Sequence, residues 1–365
     1  MPTRRQFKEL FVVLVGLLVA ALPAAAQPPL IDDKDFNIEA AEREKLLDRL
    51  AKELKDAYVF PDVAEKMAAD LKARRPEYEK ITSGPGLAAK LTEHLQVISK
   101  DKHLRVRASA SSLPRPKKDG PSAADRERDK EFARRMNGAI SKVERLPGNV
   151  GYLEIRNFMQ PDAVAEPMAA AMDFLARTDA LILDLRRNGG GSPRGVALVC
   201  SYFFGEEPVH LNSLYWRRGD RTEEFWTQKS VAGKRCVGKD MCVLTSSRTF
   251  SGAEECAYNL QTQKRAIVVG ETTGGGAHPG GMVPLGERFL VFIPTGRAIN
   301  PVTKTNWEGT GVKPDVACAA SQALDVAHQA VVKKLLDAAK DDDTRRLIQM
   351  DLDRTRPDVP SKTKQ

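Results

Sequence analysis

The second half of the chain repeats one constraint: a short unbroken apolar run, then a turn of small residues, then a helical pattern. Ala180 to Leu185, Met241 to Thr245 and Ala266 to Gly270 are too continuously apolar for strands with one wet face. Strands buried on both faces belong to parallel sheets with helices above and below. Asp162 to Thr178, Pro193 to Phe204 and Gly252 to Thr262 carry apolar residues at helical spacing. Gly151 to Ile155 and Phe289 to Pro294 read as further strands. This alternation predicts an α/β layer with parallel pairing. Ala323 to Leu336 reads as a closing helix, and the polar stretch after Lys340 as a frayed tail.

The first half lacks the alternation. Ala41 to Ala57 puts Leu46, Leu47, Leu50 and Leu54 on one helical face, Pro61 opens a second helix through Leu71, and Gly84-Pro85-Gly86 precedes a third over Leu87 to Ile98. His103 to Arg107 alternates like a short strand. Residues 27–110 are therefore expected to form an N-terminal helical domain ending in a strand. Residues 111–147 read as a charged linker. Pro114, Pro116, Gly120 and Pro121 mark a loop, and Asp125 to Arg145 is a mixed-charge segment, a solvated helix or a mobile connector. Residues 148–320 hold the α/β core, and 321–365 the closing helix and polar tail.

Residues 1–26 stand apart. Arg4, Arg5 and Lys8 precede an apolar run from Leu10 to Leu22, and Pro23-Ala24-Ala25-Ala26 ends it with small residues. That is the pattern of a cleaved secretory signal peptide. The run is shorter than the roughly 20 residues of a membrane-spanning helix, so no stable span is expected after cleavage. Thr3-Arg4-Arg5-Gln6-Phe7 also fits a twin-arginine signal. The reading is an exported chain, periplasmic or extracellular, where disulfides can form. Among five Cys, Cys236 and Cys242 bracket a short glycine-containing loop and are the expected pair. No Cys/His spacing of the zinc type is present, so no metal is expected, and no cofactor motif is visible. The 57 Lys and Arg stand against 49 Asp and Glu, a net charge of +8, with no basic run interleaved with aromatics. Nucleic acid is not the expected partner.

Two turns carry candidate chemistry. Asp184-Leu185-Arg186-Arg187-Asn188-Gly189-Gly190-Gly191 follows a buried strand, and its glycines let backbone amides approach an oxyanion. Thr245 to Glu255 also follows a buried strand and opens a helix. Ser251 there presents a hydroxyl at a strand–turn–helix junction, with the Gly252 amide behind it. Read alone, Ser251 is equally an N-cap with Glu254 as its capping-box partner, and Glu255 a solvated charge. Cys256 reads as packing, because nothing basic flanks it.

Taken together, Ala180 to Gly191, Ser251 to Gly270, Gly270-Glu271-Thr272-Thr273-Gly274-Gly275-Gly276 and Glu308-Gly309-Thr310-Gly311-Val312-Lys313-Pro314-Asp315 resemble the tail-specific (carboxyl-terminal processing) serine peptidase family. The nearer branch is the interphotoreceptor retinoid-binding protein-like one, with tricorn core protease more distant. The resemblance spans roughly Ala41 to Cys318. It implies a ClpP/crotonase-like α/β core with an N-terminal helical region. It implies Ser251 as nucleophile, and Gly252 with one glycine of the Gly189–Gly191 turn, Gly190 first, as oxyanion donors. Where Ser-Lys members of the family carry their general-base Lys, this chain has Gly276. A tricorn-like arrangement would use His103 as base, with Glu308 orienting or charge-stabilising the site. Glu254 matches a supporting Glu in some members. His278, after the glycine turn, competes with His103 as base, while His94, His210 and His328 read as packing or surface residues.

Two functions follow. One is an exported serine peptidase acting on peptide or protein, its substrate held by pairing with a sheet edge. The other is a non-catalytic binder of an apolar ligand, a retinoid or fatty acid. An acyl-CoA enzyme on the same architecture disagrees with export, and fold alone does not choose between functions.

Overall fold

The computed structural model describes residues 31–113 and 122–354. The expected signal peptide, its twin-arginine motif and the Pro114–Pro121 loop lie outside the described residues. The elements are α1 (Ala40–Ala57), α2 (Pro61–Ala73), α3 (Arg75–Tyr78), α4 (Gly84–Ser99), β1 (Arg105–Ala108), α5 (Ala123–Arg135), β2 (Ile140–Leu146), β3 (Val150–Ile155), α6 (Pro161–Leu175), β4 (Ala180–Asp184), α7 (Pro193–Ser201), β5 (His210–Trp216), β6 (Arg221–Trp226), β7 (Asp240–Thr245), α8 (Gly252–Thr262), β8 (Ile267–Gly270), β9 (Gly280–Pro284), β10 (Phe289–Pro294), β11 (Gly296–Ile299), β12 (Val316–Ala317), α9 (Ala323–Ala338) and α10 (Asp342–Arg354).

The core is a six-stranded sheet in the order β12-β8-β7-β4-β3-β2. Strands β3, β4, β7, β8 and β12 pair in parallel, as the apolar runs require, and β2 closes one edge antiparallel to β3. The two-residue period of a strand splits each run between two cores. Leu181, Leu183, Met241 and Val243 face α6, α7 and α8. Ala180, Ile182, Cys242 and Leu244 face α9. The protein is thus a mixed α/β fold with a helical N-terminal region on a sheet core.

The N-terminal helices build a separate core with a small sheet, β1-β10-β9. Leu46, Leu50 and Leu54 of α1 and Leu87, Leu91 and Leu95 of α4 pack with Phe289, Val291 and Ile293 of β10. Strand β1 pairs antiparallel with β10, so the turn before it, Asp101 to Leu104, is pinned where the first half meets the second. A third sheet, β11-β5-β6, flanks α8.

Several expectations change. The segment read as a solvated helix or connector contains α5 and then the edge strand β2. Its charges hid the strand because an edge strand with one wet face keeps its polar residues. Of the stretch expected to fray after Lys340, residues 355–365 lie outside the described residues, and residues 342–354 are ordered. These form α10, whose Ile348 and Leu352 pack on the α9 side of the sheet and whose Asp351 binds Arg145 and the Gly148 N–H. The expected Cys236–Cys242 disulfide is absent, and all five Cys are free thiols. Cys242 points into the α9 core and Cys236 into the opposite one, so the sheet separates them. Cys200 and Cys256 are the close pair, with sulfurs 3.9 Å apart.

Candidate active site

The turns after β4 and β7 are stitched together. Ser246 Oγ donates to the Arg186 carbonyl (2.6 Å), Thr249 Oγ1 to that of Leu185 (2.9 Å), and the Phe250 N–H to that of Asn188 (3.2 Å). Fully buried Asn188 shapes the first turn from within. Its Nδ2 donates to the Ile155 carbonyl (3.1 Å) and its Oδ1 accepts the Gly190 N–H (2.8 Å).

Ser251 stands at φ 55° and ψ −123°, a strained backbone for a residue with a side chain. Strain of this kind at a strand–turn–helix junction presents the side chain outward. Around it the two turns touch. A Cβ added to Gly190, whose φ is 111°, would lie 2.8 Å from both the Gly252 nitrogen and Ser251 Cβ. One added to Gly252 would lie 3.1 Å from the Gly191 nitrogen. The Gly190 amide is already spent on Asn188. Among the described residues, the Gly191 and Gly252 amides donate no hydrogen bond. Geometry therefore offers Gly191, not Gly190, beside Gly252 as a free donor. Gly190→Ala should unseat this contact. We expect it to lower stability by about 2 kcal/mol through backbone strain and clash, read as a shifted urea midpoint. An unchanged midpoint would contradict the close approach.

Glu254 holds the second turn to the glycine loop after β8. It is fully buried. Its Oε2 accepts the N–H groups of Ser251 and Gly276, both at 2.8 Å. Its Oε1 accepts the Thr273 hydroxyl (2.5 Å) and the Gly275 N–H (2.6 Å). Burial raises its pKa, and these bonds oppose the rise. Its role exceeds that of a helix cap, since three of the four groups it binds lie in the loop after β8.

His103 packs its ring on Phe250, the residue before Ser251, at 4.6 Å between centroids, and on Phe292 at 5.5 Å. Burial pushes its pKa down to about 4, against an opposing pull from Asp101. The ring is therefore neutral at ordinary pH. Its Nδ1 is buried and has no hydrogen-bond partner. The Gly276 position has no room for a longer side chain: a Cβ there would lie 2.3 Å from Phe250 Cζ and 2.7 Å from His103 Cε1. His103 and Phe250 fill the space that a Lys at that position would need.

Glu308 and His278 meet each other and Asp101. His278 Nδ1 lies 2.7 Å from Asp101 Oδ2 and 3.5 Å from Glu308 Oε2. Asp101, fully buried, also accepts the Tyr58 hydroxyl (3.2 Å) and the His103 N–H (3.0 Å). Glu308 accepts the N–H groups of Lys102 (3.4 Å) and Ala277. Burial and neighbouring Asp101 push Glu308 up to about 7. Among the described residues, these three are one group whose donor atoms lie within 4.8 Å of one another, the spacing a cation would need. The structure thus joins Ser251, Gly252, Gly190 and Glu254 around one junction and puts His103 against it. Glu308 and His278 come from two other loops and contact the Lys102 N–H and Asp101 of the turn that carries His103. Asp101 was missed from sequence, although its place two residues before His103 was a usable signal. His94 bonds Tyr78 (2.8 Å) inside the helical core.

A family model described as "Peptidase family S41" matches residues 149–318, and one described as "N-terminal domain of Peptidase_S41 in eukaryotic IRBP" matches residues 40–143. The chain is 27% identical over 177 residues to a carboxy-terminal-processing protease of Bartonella bacilliformis, covering 47% of this chain and 39% of that relative. It spans at most about two fifths of the length of the curated relatives it matches. Its fold is similar to that of a lipoprotein from Streptococcus agalactiae (TM-score 0.52, 14% identity, 82% of this chain and 98% of that one). It is also similar to tricorn protease (TM-score 0.50, 14% identity, 81% of this chain and 37% of that one). With both halves matched in order, the chain belongs to the S41 family of tail-specific serine peptidases, its first half matching the N-terminal domain found in the family's interphotoreceptor retinoid-binding protein members.

Proposed function

We propose that the chain is an exported serine peptidase that cleaves peptide bonds through Ser251, with His103 as general base. The core is of the ClpP/crotonase kind, which the parallel β3-β4-β7-β8 order with helices on both faces supports. The observation that carries the reading is Ser251's strained backbone, with the Gly252 amide packed on the Gly190–Gly191 turn. A neutral His103 takes the Ser251 proton as Oγ attacks the scissile carbonyl carbon. The oxyanion forms within reach of the Gly252 and Gly191 N–H groups. His103 then returns the proton to the leaving amine, and water resolves the acyl enzyme by the same route. Export rests on residues 1–26, and peptide capture on an open edge of the sheets. No described helix is long and apolar enough to cross a membrane.

A fluorophosphonate probe tests the reading, because it reacts only with an activated serine. We expect labelling at Ser251, none in Ser251→Ala, and a loss of at least about 100-fold in His103→Ala. Because His103 stays neutral down to about pH 4, the labelling rate should hold to that pH rather than fall near 6.5. Absence of labelling in the folded wild-type protein overturns the proposal in favour of an apolar-ligand binder.

A further inference from the structure

Among the described residues, the His103 ring has no polar tether that would fix its orientation. Its Nδ1 is buried without a partner, and its visible neighbours are the rings of Phe250 and Phe292 and the Gly276 backbone. In a catalytic triad, a carboxylate on that nitrogen sets the orientation of the base. Among the described residues, the polar hold on His103 is through its backbone, whose N–H donates to Asp101 Oδ1.

Asp101 is in turn fixed by what it accepts. Three donors converge on its carboxylate: the His103 N–H, the Tyr58 hydroxyl and His278 Nδ1. A carboxylate only accepts, so the proton in the shortest of these contacts belongs to His278 Nδ1. Glu308 repeats the pattern one residue back. One of its oxygens takes the Lys102 N–H, and the other faces Ala277 and His278. Lys102 Nζ closes the same joint by donating to the Gly274 carbonyl (2.6 Å). Each carboxylate therefore spends one oxygen on the Lys102–His103 backbone and the other on His278 or its neighbour. His278 itself is buried, with its ring edge against Phe60 at 5.4 Å.

We propose that His278 is a positioning residue: held by Asp101 and Glu308, it ties the Lys102–His103 turn of the helical region to the Gly274–His278 loop of the core and so sets where the His103 ring stands beside Ser251. This deepens the peptidase reading and rests on it for its catalytic meaning. It assigns the two histidines different tasks, proton transfer to His103 and placement to His278. It also explains why the helical region is bound to the core at this joint, since that region delivers the base.

The test reads His103 directly. Ring nitrogen and proton NMR of the full chain follows its titration in wild type, His278→Ala and His278→Asn. The Asn amide nitrogen stands near the place of Nδ1 and can still donate to Asp101, but it cannot serve as a base. We expect His103 to titrate near 4 in wild type, to move toward the ordinary value of about 6.5 in His278→Ala as the turn loosens, and to return to near 4 in His278→Asn. Fluorophosphonate labelling should fall at least about 30-fold in the Ala variant, with most of that loss recovered in the Asn variant. If His278→Ala does not fold, His278→Leu, which keeps most of the side-chain volume but has no donor for Asp101, breaks the same link and should move His103 likewise.

Three results overturn the proposal. His103 titration unchanged in a folded His278→Ala or His278→Leu protein makes His278 mere packing. Labelling lost as completely in His278→Asn as in His278→Ala, with His103 still titrating near 4, makes His278 the base. Stoichiometric uptake of Zn²⁺ that Asp101→Asn abolishes makes the cluster a cation site. A wild-type protein that never labels sinks the peptidase reading alone, because the NMR titration needs no activity.

Discussion

Replacing Glu254 by Ala should cost about 4 kcal/mol or more and silence Ser251. The reason is the number of groups that one carboxylate satisfies. Without it the Ser251, Gly275 and Gly276 N–H groups and the Thr273 hydroxyl lose their acceptor together in a site closed to water. A buried donor left unpaired costs about 1–3 kcal/mol, and relaxation recovers part of the sum. The loss would be a large share of the 5–15 kcal/mol that holds a typical domain. The strained Ser251 backbone also persists only because its surroundings enforce it. With the tether gone, the turn can relax and Ser251 leaves the Gly191 and Gly252 amides. Glu254→Gln separates the two effects. An amide accepts at one end and donates at the other, so one pair of donors would face an NH₂ group. We expect about half the destabilisation and slowed, not absent, fluorophosphonate labelling. Urea midpoints give the first quantity and labelling rates the second. An Ala variant within about 1 kcal/mol of wild type would mean that Glu254 is only a helix cap.

That double duty of Glu254 marks what a sequence can and cannot disclose. The capping-box spacing of Ser251 and Glu254 was legible, because a helix start is a local event. The reach to Thr273, Gly275 and Gly276 was not, because it depends on how β7 and β8 stack their turns side by side. The parallel layer was legible for a similar reason. Runs such as Ala180 to Leu185 leave no wet face, so their environment is implied by their composition. Strand β2 was hidden, since a charged edge strand and a solvated connector look alike without a partner. The Cys236–Cys242 expectation failed on a matter of faces: a short sequence separation says nothing about which side of a sheet each thiol takes. The proposed base is intermediate. His103 could be singled out from the resemblance and from Gly276, but the Asp101–His278 link joins residues 177 positions apart and needed coordinates.

Glu255 carries the second large effect, and it is one of pH. It stands one turn beyond Ser251, its N–H bonded to the Ser251 carbonyl (2.9 Å), and only 4% of it is exposed. Among the described residues no Lys, Arg or His forms an ion pair with it. Burial pushes its pKa up to about 8, and the side chain of Asn212 on β5 is the sole opposing influence. The unfolded chain releases this proton near the ordinary value of 4.5, whereas the folded protein keeps it to about 8. Between those limits the folded state binds more protons, so stability falls as pH rises, by at most about 1.4 kcal/mol per unit from this group. The contribution is complete below about 4.5 and gone above about 8. His103 acts with the opposite sign between about 4 and 6.5, since its folded form binds the proton less well. Comparing wild type with Glu255→Gln cancels that term, because only Glu255 differs. The two proteins should unfold at similar urea concentrations at pH 5, and Glu255→Gln should be the more stable by several kcal/mol at pH 8.5. Parallel pH profiles would show that Glu255 ionises freely, and a solvated Glu255 would then leave α8 without a neutral polar floor beneath Ser251.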